Sequence, residues 1–319
     1  MKRALIIGVA GQDGYYLTQN LVLKDYSVYG LDRFVSSLCA DQKKLLSGFT
    51  QIELSQTSPL VDYIRKILPD EIYYLAAHHF SSEGEENRAG LMTPFLEINV
   101  MAPNAVLELL HTELPLCKFF YAASSQIFGI TDTHPQNEDT PFRPDTPYAI
   151  SKATALLLCR YYRKTHGIYT VTGILYNHES PHRSLSFVTA QIARAAALAA
   201  KGRGVPLFLR NVNAVVDWGA AEDYVEAMWC VLQQPSGGEY IISSGVPRTV
   251  MDFARAAFAV VGLKAEEYIF QQPGFSSFKS VTYIGDNNKI RHQCGWRPHK
   301  SFESLVRDMV ESELLKESS

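Results

Sequence analysis

The chain lacks any run of about 18 consecutive apolar residues, so no segment is long and apolar enough to be a membrane-spanning helix. It also lacks an excess of either charge. A formal net charge of −3 and a pI near 6.3 give no reason to expect nucleic acid or an anionic membrane as partner. Cysteine is scarce: Cys39, Cys117, Cys159, Cys230 and Cys294 are scattered, odd in number and never spaced C-x-x-C, so disulfide and metal roles are not expected. No repeat, low-complexity tract or long linker interrupts the sequence. No signal-peptide pattern precedes the first apolar run, and a reduced, cytoplasmic enzyme is the expectation.

What the sequence does have is 46% apolar content over 319 residues, enough for a large core and for one domain or one and a half. Apolar, β-rich runs alternate with helical patterns through the first half. Strands are expected at Ala4–Gly8, Ser27–Leu31, Gln51–Leu54, Glu71–Leu75, Lys118–Ala122 and Tyr169–Leu175, with helices at Tyr16–Leu23, Leu60–Leu68, Asn99–Leu110 and Tyr148–Thr165. Near-continuous apolar strands separated by helices predict a Rossmann-type, doubly wound parallel sheet with its ligand at the carboxyl ends of the strands. After Leu175 the pattern loosens. Asn177–Arg183 reads as a polar loop, Pro206–Asn211 and Tyr240–Ser243 as strands, and Phe187–Ala200, Asp223–Gln233 and Val250–Val261 as helices. The expected division is a cofactor-binding domain over 1–175 and a smaller, partly interleaved α/β lid over 176–319 that binds substrate.

Two patterns carry chemistry. Gly8, Gly11 and Gly14 follow the first strand in G-x-x-G-x-x-G spacing, suited to a tight turn that brings backbone and a helix N-terminus up to a pyrophosphate. At the end of the second strand, Asp32 suits an adenosine ribose and favours NAD, whereas Arg33 could pair with a 2′-phosphate and favours NADP; the balance leans slightly to NAD. Glu53, at the end of the third strand, could meet the adenine amine or stand solvated. Tyr148 and Lys152 lie at i and i+4 on one helical face, where the ammonium would lower the phenol's pKa for proton exchange with a substrate hydroxyl.

These pieces resemble the extended short-chain dehydrogenase/reductase family and, within it, the GDP-mannose 4,6-dehydratases. The resemblance runs the length of the chain: Gly8-Val9-Ala10-Gly11-Gln12-Asp13-Gly14, Leu75-Ala76-Ala77, Ala123-Ser124-Ser125, Tyr148-x-x-x-Lys152, Asn177-His178-Glu179-Ser180-Pro181, Asp217-Trp218-Gly219 and Gly295-Trp296-Arg297-Pro298. It implies that the first two of these segments hold NAD(P), and that Asn177 and Glu179 face a nucleotide-activated sugar. It also implies a mechanism. Tyr148 takes the proton of the sugar C4 hydroxyl as hydride leaves C4, Lys152 tunes Tyr148 and holds the nicotinamide ribose, and Ser124 bonds the C4 oxygen. A base then removes the C5 proton, water leaves from C6, and hydride returns there.

The departures matter as much. The resemblance implies a Glu as C5 base two residues after Ser124, where this chain has Gln126, an amide with no basicity near neutral pH. Either the residue is an engineered trap or the natural chemistry stops before elimination. Cations that the resemblance implies against a nucleotide diphosphate are missing at Ala190, Gln191, Val216 and Ser276, which favours a diverged substrate site; Arg183 and Arg210 remain as phosphate-binding candidates. His78 and His79 replace the implied Gln-Ser, as an acid or base or as structural histidines. Three readings follow: a 4,6-dehydratase-like enzyme, a C4 dehydrogenase or epimerase without elimination, and a non-catalytic cofactor-binding homologue. A homodimer is expected, since Val100, Ala105, Val106 and Leu109 on one helix and Ala153, Leu156, Leu157 and Tyr161 on another extend beyond one core face.

Overall fold

Apolar strands that can be covered on both faces assemble into the centre of the protein, for which a computed structural model describes residues 1–79, 92–274 and 282–317. In chain order the first half contains β1 (Arg3–Ile7), α1 (Gln12–Leu23), β2 (Ser27–Asp32), α2 (Ala40–Leu45), β3 (Gly48–Gln51), α3 (Thr57–Ile67), β4 (Glu71–Tyr74), α4 (Met92–Leu96), α5 (Ala102–Thr112), β5 (Lys118–Ser124), α6 (Pro147–His166) and β6 (Thr170–Leu175). The second half adds β7 (Asn177–Glu179), α7 (Val188–Ala200), β8 (Leu207–Leu209), β9 (Val215–Ala220), α8 (Ala221–Leu232), β10 (Gly238–Ile242), β11 (Pro247–Thr249), α9 (Val250–Val260), β12 (Ile269–Gln271), α10 (Asn288–Cys294) and α11 (Phe302–Lys316).

Seven strands form one sheet in the order β10-β6-β5-β4-β1-β2-β3, with every pair parallel. The chain winds from β1 toward β3, then returns to place β4 on the other side of β1. That reversal makes a switch point, and the loops leaving β1 and β4 part there to open a crevice. Helices α3, α5 and α6 pack on one face through Leu60, Ile64, Val106, Leu110 and Leu156. On the other face α1 and α8 pack through Leu17, Leu21, Val225 and Met228. A third core, from α7, α9 and α11 with Trp218, sits beneath the small sheets β11-β9-β7 and β12-β8.

The doubly wound sheet matches the expectation, with local corrections. The third strand runs over Gly48–Gln51 rather than Gln51–Leu54. Its register on β2 is set by Ser47 N–H to Val28 and Ile52 N–H to Asp32, so Ile52 and Leu54 are buried beyond the ladder. The segment read as a polar loop opens with β7, which pairs with β9 from Asn177–Trp218 to Glu179–Ala220. The strand near 240 joins the large sheet beside β6. The helix expected from Asn99 is preceded by a π-turn, Glu97–Met101. Pro103 has no N–H for the Asn99 carbonyl, which instead accepts from the Tyr121 hydroxyl at 3.1 Å, and Tyr74 takes the Ile98 carbonyl at 2.5 Å. Of the stripe expected to mark a dimer, Val100, Val106, Leu109, Ala153 and Leu156 are buried within the chain itself. Leu157 and Tyr161 stay half-exposed, together with Met101. Among the described residues no helix is long and apolar enough to cross a membrane.

Candidate active site

A cleft of about 530 Å³ opens over the carboxyl ends of β1, β4 and β5. One wall is the glycine turn between β1 and α1. Gly8 has φ +94°, and a Cβ there would fall 2.6 Å from the Ala76 nitrogen; one at Gly14 would fall 2.3 Å from the Val9 oxygen. The chain's own packing therefore requires both glycines. Gly11 differs: its φ is −76°, and an added Cβ would meet only the Gly8 oxygen at 3.4 Å. Nothing among the described residues demands a glycine there, whereas close approach of a ligand from the cleft does. Helix α1 starts at this point without a side-chain cap, which leaves its first N–H groups for an anion. The residues present thus fit the pyrophosphate of a dinucleotide.

Asp32, Arg33 and Glu53 line the far end of the cleft, and Leu75, Ala76 and Ala77 line its floor. The Asp32 carboxylate accepts from the N–H groups of Ala10 at 3.1 Å and Phe34 at 3.2 Å, while the Arg33 guanidinium lies over the Phe34 ring. Gln12 and Asp13 face the lid. Gln12 donates to the His178 carbonyl and accepts from Ser180. Asp13 meets the His178 Nε2 at 2.9 Å. Burial opposes charge on both, yet their mutual attraction prevails: Asp13 sits below, and His178 above, the usual value.

Across the cleft, Thr146 caps α6 by accepting from the Ala149 N–H, which places Tyr148 in the first turn and Lys152 one turn further. Ser124 ends β5, caps the short turn Ser125–Phe128 through the Gln126 N–H, and lies close enough to the Tyr148 hydroxyl to favour its ionised form. Lys152 is buried and donates to the Ala122 carbonyl at 2.7 Å, with its ammonium 5.7 Å from the Tyr148 ring centre. The expected acidification of Tyr148 by Lys152 is not what the structure gives. Burial pushes Tyr148 up to about 12, against smaller lowering effects of Ser124 and Arg183. The same burial pushes Lys152 down to about 7. Desolvation disfavours the charged form of each and dominates both shifts.

Gln126, His79, Asn177, Glu179 and Arg183 all line the same cleft. His79 stacks on Phe187 at 5.3 Å, and the Arg183 guanidinium lies 3.5 Å from that ring's centre on an ion pair with Glu179. Thr189 also donates to Glu179. Burial, with the Arg183 and Lys152 charges, pushes the His79 imidazole down to about 4. His78 does not line the cleft. Its backbone N–H and C=O are both bonded by the Asn99 amide, and its ring packs edge-on against Phe95. Arg210 is likewise outside, beside β8, where its carbonyl accepts from Gln271. Ala190, Gln191 and Val216 do not line the cleft either, and Ser276 lies outside the described residues. The sequence reading missed Asn99, His178, Phe187, Thr189 and Trp218 as site residues. All but Asn99 carried a signal, as members of segments that match the family's motifs: Asn177-His178-Glu179, Phe187-Val188-Thr189 and Asp217-Trp218-Gly219. Among the described residues, no three His, Cys, Asp or Glu side chains gather as a metal site.

A doubly wound sheet with a glycine turn at its switch point and a Ser–Tyr–Lys cluster across the cleft defines the extended short-chain dehydrogenase/reductase class. A family model described as GDP-mannose 4,6 dehydratase matches residues 5–309. GDP-mannose 4,6 dehydratase 2 of Arabidopsis thaliana is 37% identical, over 98% of this chain and 87% of its own. The chain belongs to the GDP-mannose 4,6-dehydratase family. Among solved structures, dTDP-glucose 4,6-dehydratase from Bacillus anthracis, in complex with NAD, aligns with a TM-score of 0.83 at 20% identity, covering 99% of this chain and 97% of that one. RMD from Pseudomonas aeruginosa, complexed with NADPH, gives 0.82 at 20% identity, covering 99% and 100%.

Proposed function

We propose that this protein is an NAD(P)-dependent enzyme that acts on a nucleotide-activated sugar and begins by oxidising it at C4, in the manner of GDP-mannose 4,6-dehydratases. The observation that carries the reading is the convergence of Ser124, Tyr148 and Lys152 on one cleft with the glycine turn. NAD(P), held along Gly8–Gly14, Asp32 and Ala76, would supply the hydride acceptor and donor. Tyr148 takes the C4 hydroxyl proton, Ser124 bonds the same oxygen, and Lys152, anchored on the Ala122 carbonyl, fixes the electrostatics beneath them. Arg183 offers the nucleotide diphosphate a guanidinium at the substrate end, with Asn177 and Glu179 alongside it. Residues 1–175 make most of the cofactor side and 176–319 most of the lid. Asp32 tips the balance slightly toward NAD, and Arg33 keeps NADP in contention.

Gln126 favours a second reading, oxidation at C4 without 4,6-elimination, as in a C4 dehydrogenase or epimerase. It lines the cleft beside Ser124 with an amide that cannot accept the C5 proton. Incubation with GDP-mannose separates the two. A 4-keto-6-deoxy product by mass spectrometry supports the first, and stable absorbance in the reduced-nicotinamide band without that product supports the second. The intact Ser–Tyr–Lys cluster weighs against a non-catalytic homologue. The exposed Met101, Leu157 and Tyr161 support a homodimer through α5 and α6, and the free thiols accord with a reducing, cytoplasmic setting.

A further inference from the structure

Five scattered cysteines give no pairing pattern in the sequence, but the fold brings two of them together. Cys230 lies in the last turn of α8 and Cys294 ends α10, 64 residues later. The Cys230 thiol donates to the Cys294 carbonyl at 3.4 Å, and the two thiols are near enough to shift each other's acidity. A carbonyl oxygen lies within about 3 Å of its own Cα, so the Cys230 sulfur is within about 6 Å of the Cys294 Cα.

The surroundings hold this geometry. Gly295 turns the chain at φ +68° directly after Cys294. The segment beyond it is already tied to the first turn of α8: the Trp296 indole donates to the Asp223 carbonyl, and the His299 and Lys300 N–H groups donate to the Asp223 carboxylate at 3.1 and 3.0 Å. A covalent link would join two elements that are fixed to each other in any case. Both thiols are partly exposed, whereas Cys117 and Cys159 are buried and Cys39 caps α2. Neither Cys230 nor Cys294 lines the cleft.

We propose that Cys230 and Cys294 form a site of reversible oxidative modification, which closes to an intramolecular disulfide on exposure to a peroxide. The Cys230 thiolate attacks one peroxide oxygen and the O–O bond breaks, leaving a sulfenic acid and hydroxide, which takes up the thiol's proton as water. The Cys294 sulfur then displaces the sulfenic oxygen: the S–S bond forms, the S–O bond breaks, and a second water leaves with the Cys294 proton. Two thiols are oxidised and one peroxide is reduced to two waters. The mutual influence of the two thiols supports the order of attack, because it favours the thiolate at Cys230 and the protonated form at Cys294.

The test uses the full chain, reduced and then treated with hydrogen peroxide. Peptide mapping without reductant should recover a Cys230–Cys294 cross-linked peptide, reversed by dithiothreitol. Closing a loop of this length should raise the melting temperature by about 3–6 °C. In C294S, the Cys230 sulfenic acid should be captured by dimedone, and C230S should leave Cys294 unlabelled. Both thiols remaining alkylatable after peroxide has oxidised Cys39 would overturn the proposal. Recovery of Cys230 and Cys294 as separate sulfinic acids without a cross-link would overturn it too.

Discussion

Asp13 and His178 face each other at 2.9 Å across the joint between α1 and β7, and each holds the other charged against the cost of burial. The pair ties the cofactor turn to the lid, and its worth depends on pH. His178 has a raised pKa, so its contribution is complete below the ordinary value of 6.5 and fades as pH climbs through the folded value. Asp13 has a lowered pKa, so its contribution is present above 3.8 and fades as pH falls through the folded value. His178→Gln should therefore cost about 2 kcal/mol in denaturant unfolding near pH 5.5, the worth of a hydrogen bond between charged groups, and clearly less near pH 8.5. A loss of the same size at both would show that packing on Tyr224, not charge, is what the histidine provides.

The glycines separate binding from folding. Gly11→Val should weaken NAD(P) binding at least about tenfold in a calorimetric titration while leaving the melting temperature nearly unchanged, because nothing but a ligand fills that space. Gly14→Ala should lower stability by roughly 1–3 kcal/mol, since its methyl group would collide with the Val9 carbonyl. The reverse pattern would move the cofactor site elsewhere.

Tyr148→Phe should reduce C4 oxidation by about 10² to 10⁴ in single-turnover absorbance measurements, as expected for loss of the proton acceptor. Tyr148 is pushed up to about 12, so the reactive phenolate is rare at neutral pH. The rate should rise with pH until another group limits it, and a rate that falls between pH 7 and 9 would argue against the phenol as base.

Gln126→Glu should increase solvent deuterium incorporation at C5 of a bound GDP-hexose. If the unsubstituted protein already exchanges that proton, His79 is the residue to remove. It is held neutral, with its pKa pushed down to about 4, and shares the cleft, whereas His78 is clamped by Asn99 outside it. His79→Asn should then suppress the exchange; exchange that persists in this variant would clear the histidine of the role.

Much of this site was legible in the sequence because its parts are local. The glycine turn, the strand-end Asp32 and Arg33, and the i, i+4 pair Tyr148 and Lys152 each lie within one turn or one element. What stayed hidden depends on distant segments meeting. Asn99 bonds His78 and Ser151 from 21 and 52 residues away, and β7 is a strand only because β9 pairs with it. The pKa directions at Tyr148 and Lys152 were equally out of reach, since sequence spacing gives proximity but not how completely water is excluded. Arg210 looked like a phosphate ligand on residue type alone, and the fold puts it beside β8, outside the cleft lining.

The π-turn at Glu97–Met101 makes two helical segments fall out of step. One surplus residue rotates everything before it by about 100° relative to everything after it. Ile98, within the turn, lines the cleft while also packing with Val106 and Leu110 in the core on that face of the sheet. A one-residue deletion between Glu97 and Met101 would restore the regular winding and spoil the active side, turning the Asn99 amide away from the backbone of His78. The irregularity works as a phase adjuster: α5 keeps the rotation its own core needs, and the residues ahead of it take the rotation the cleft needs.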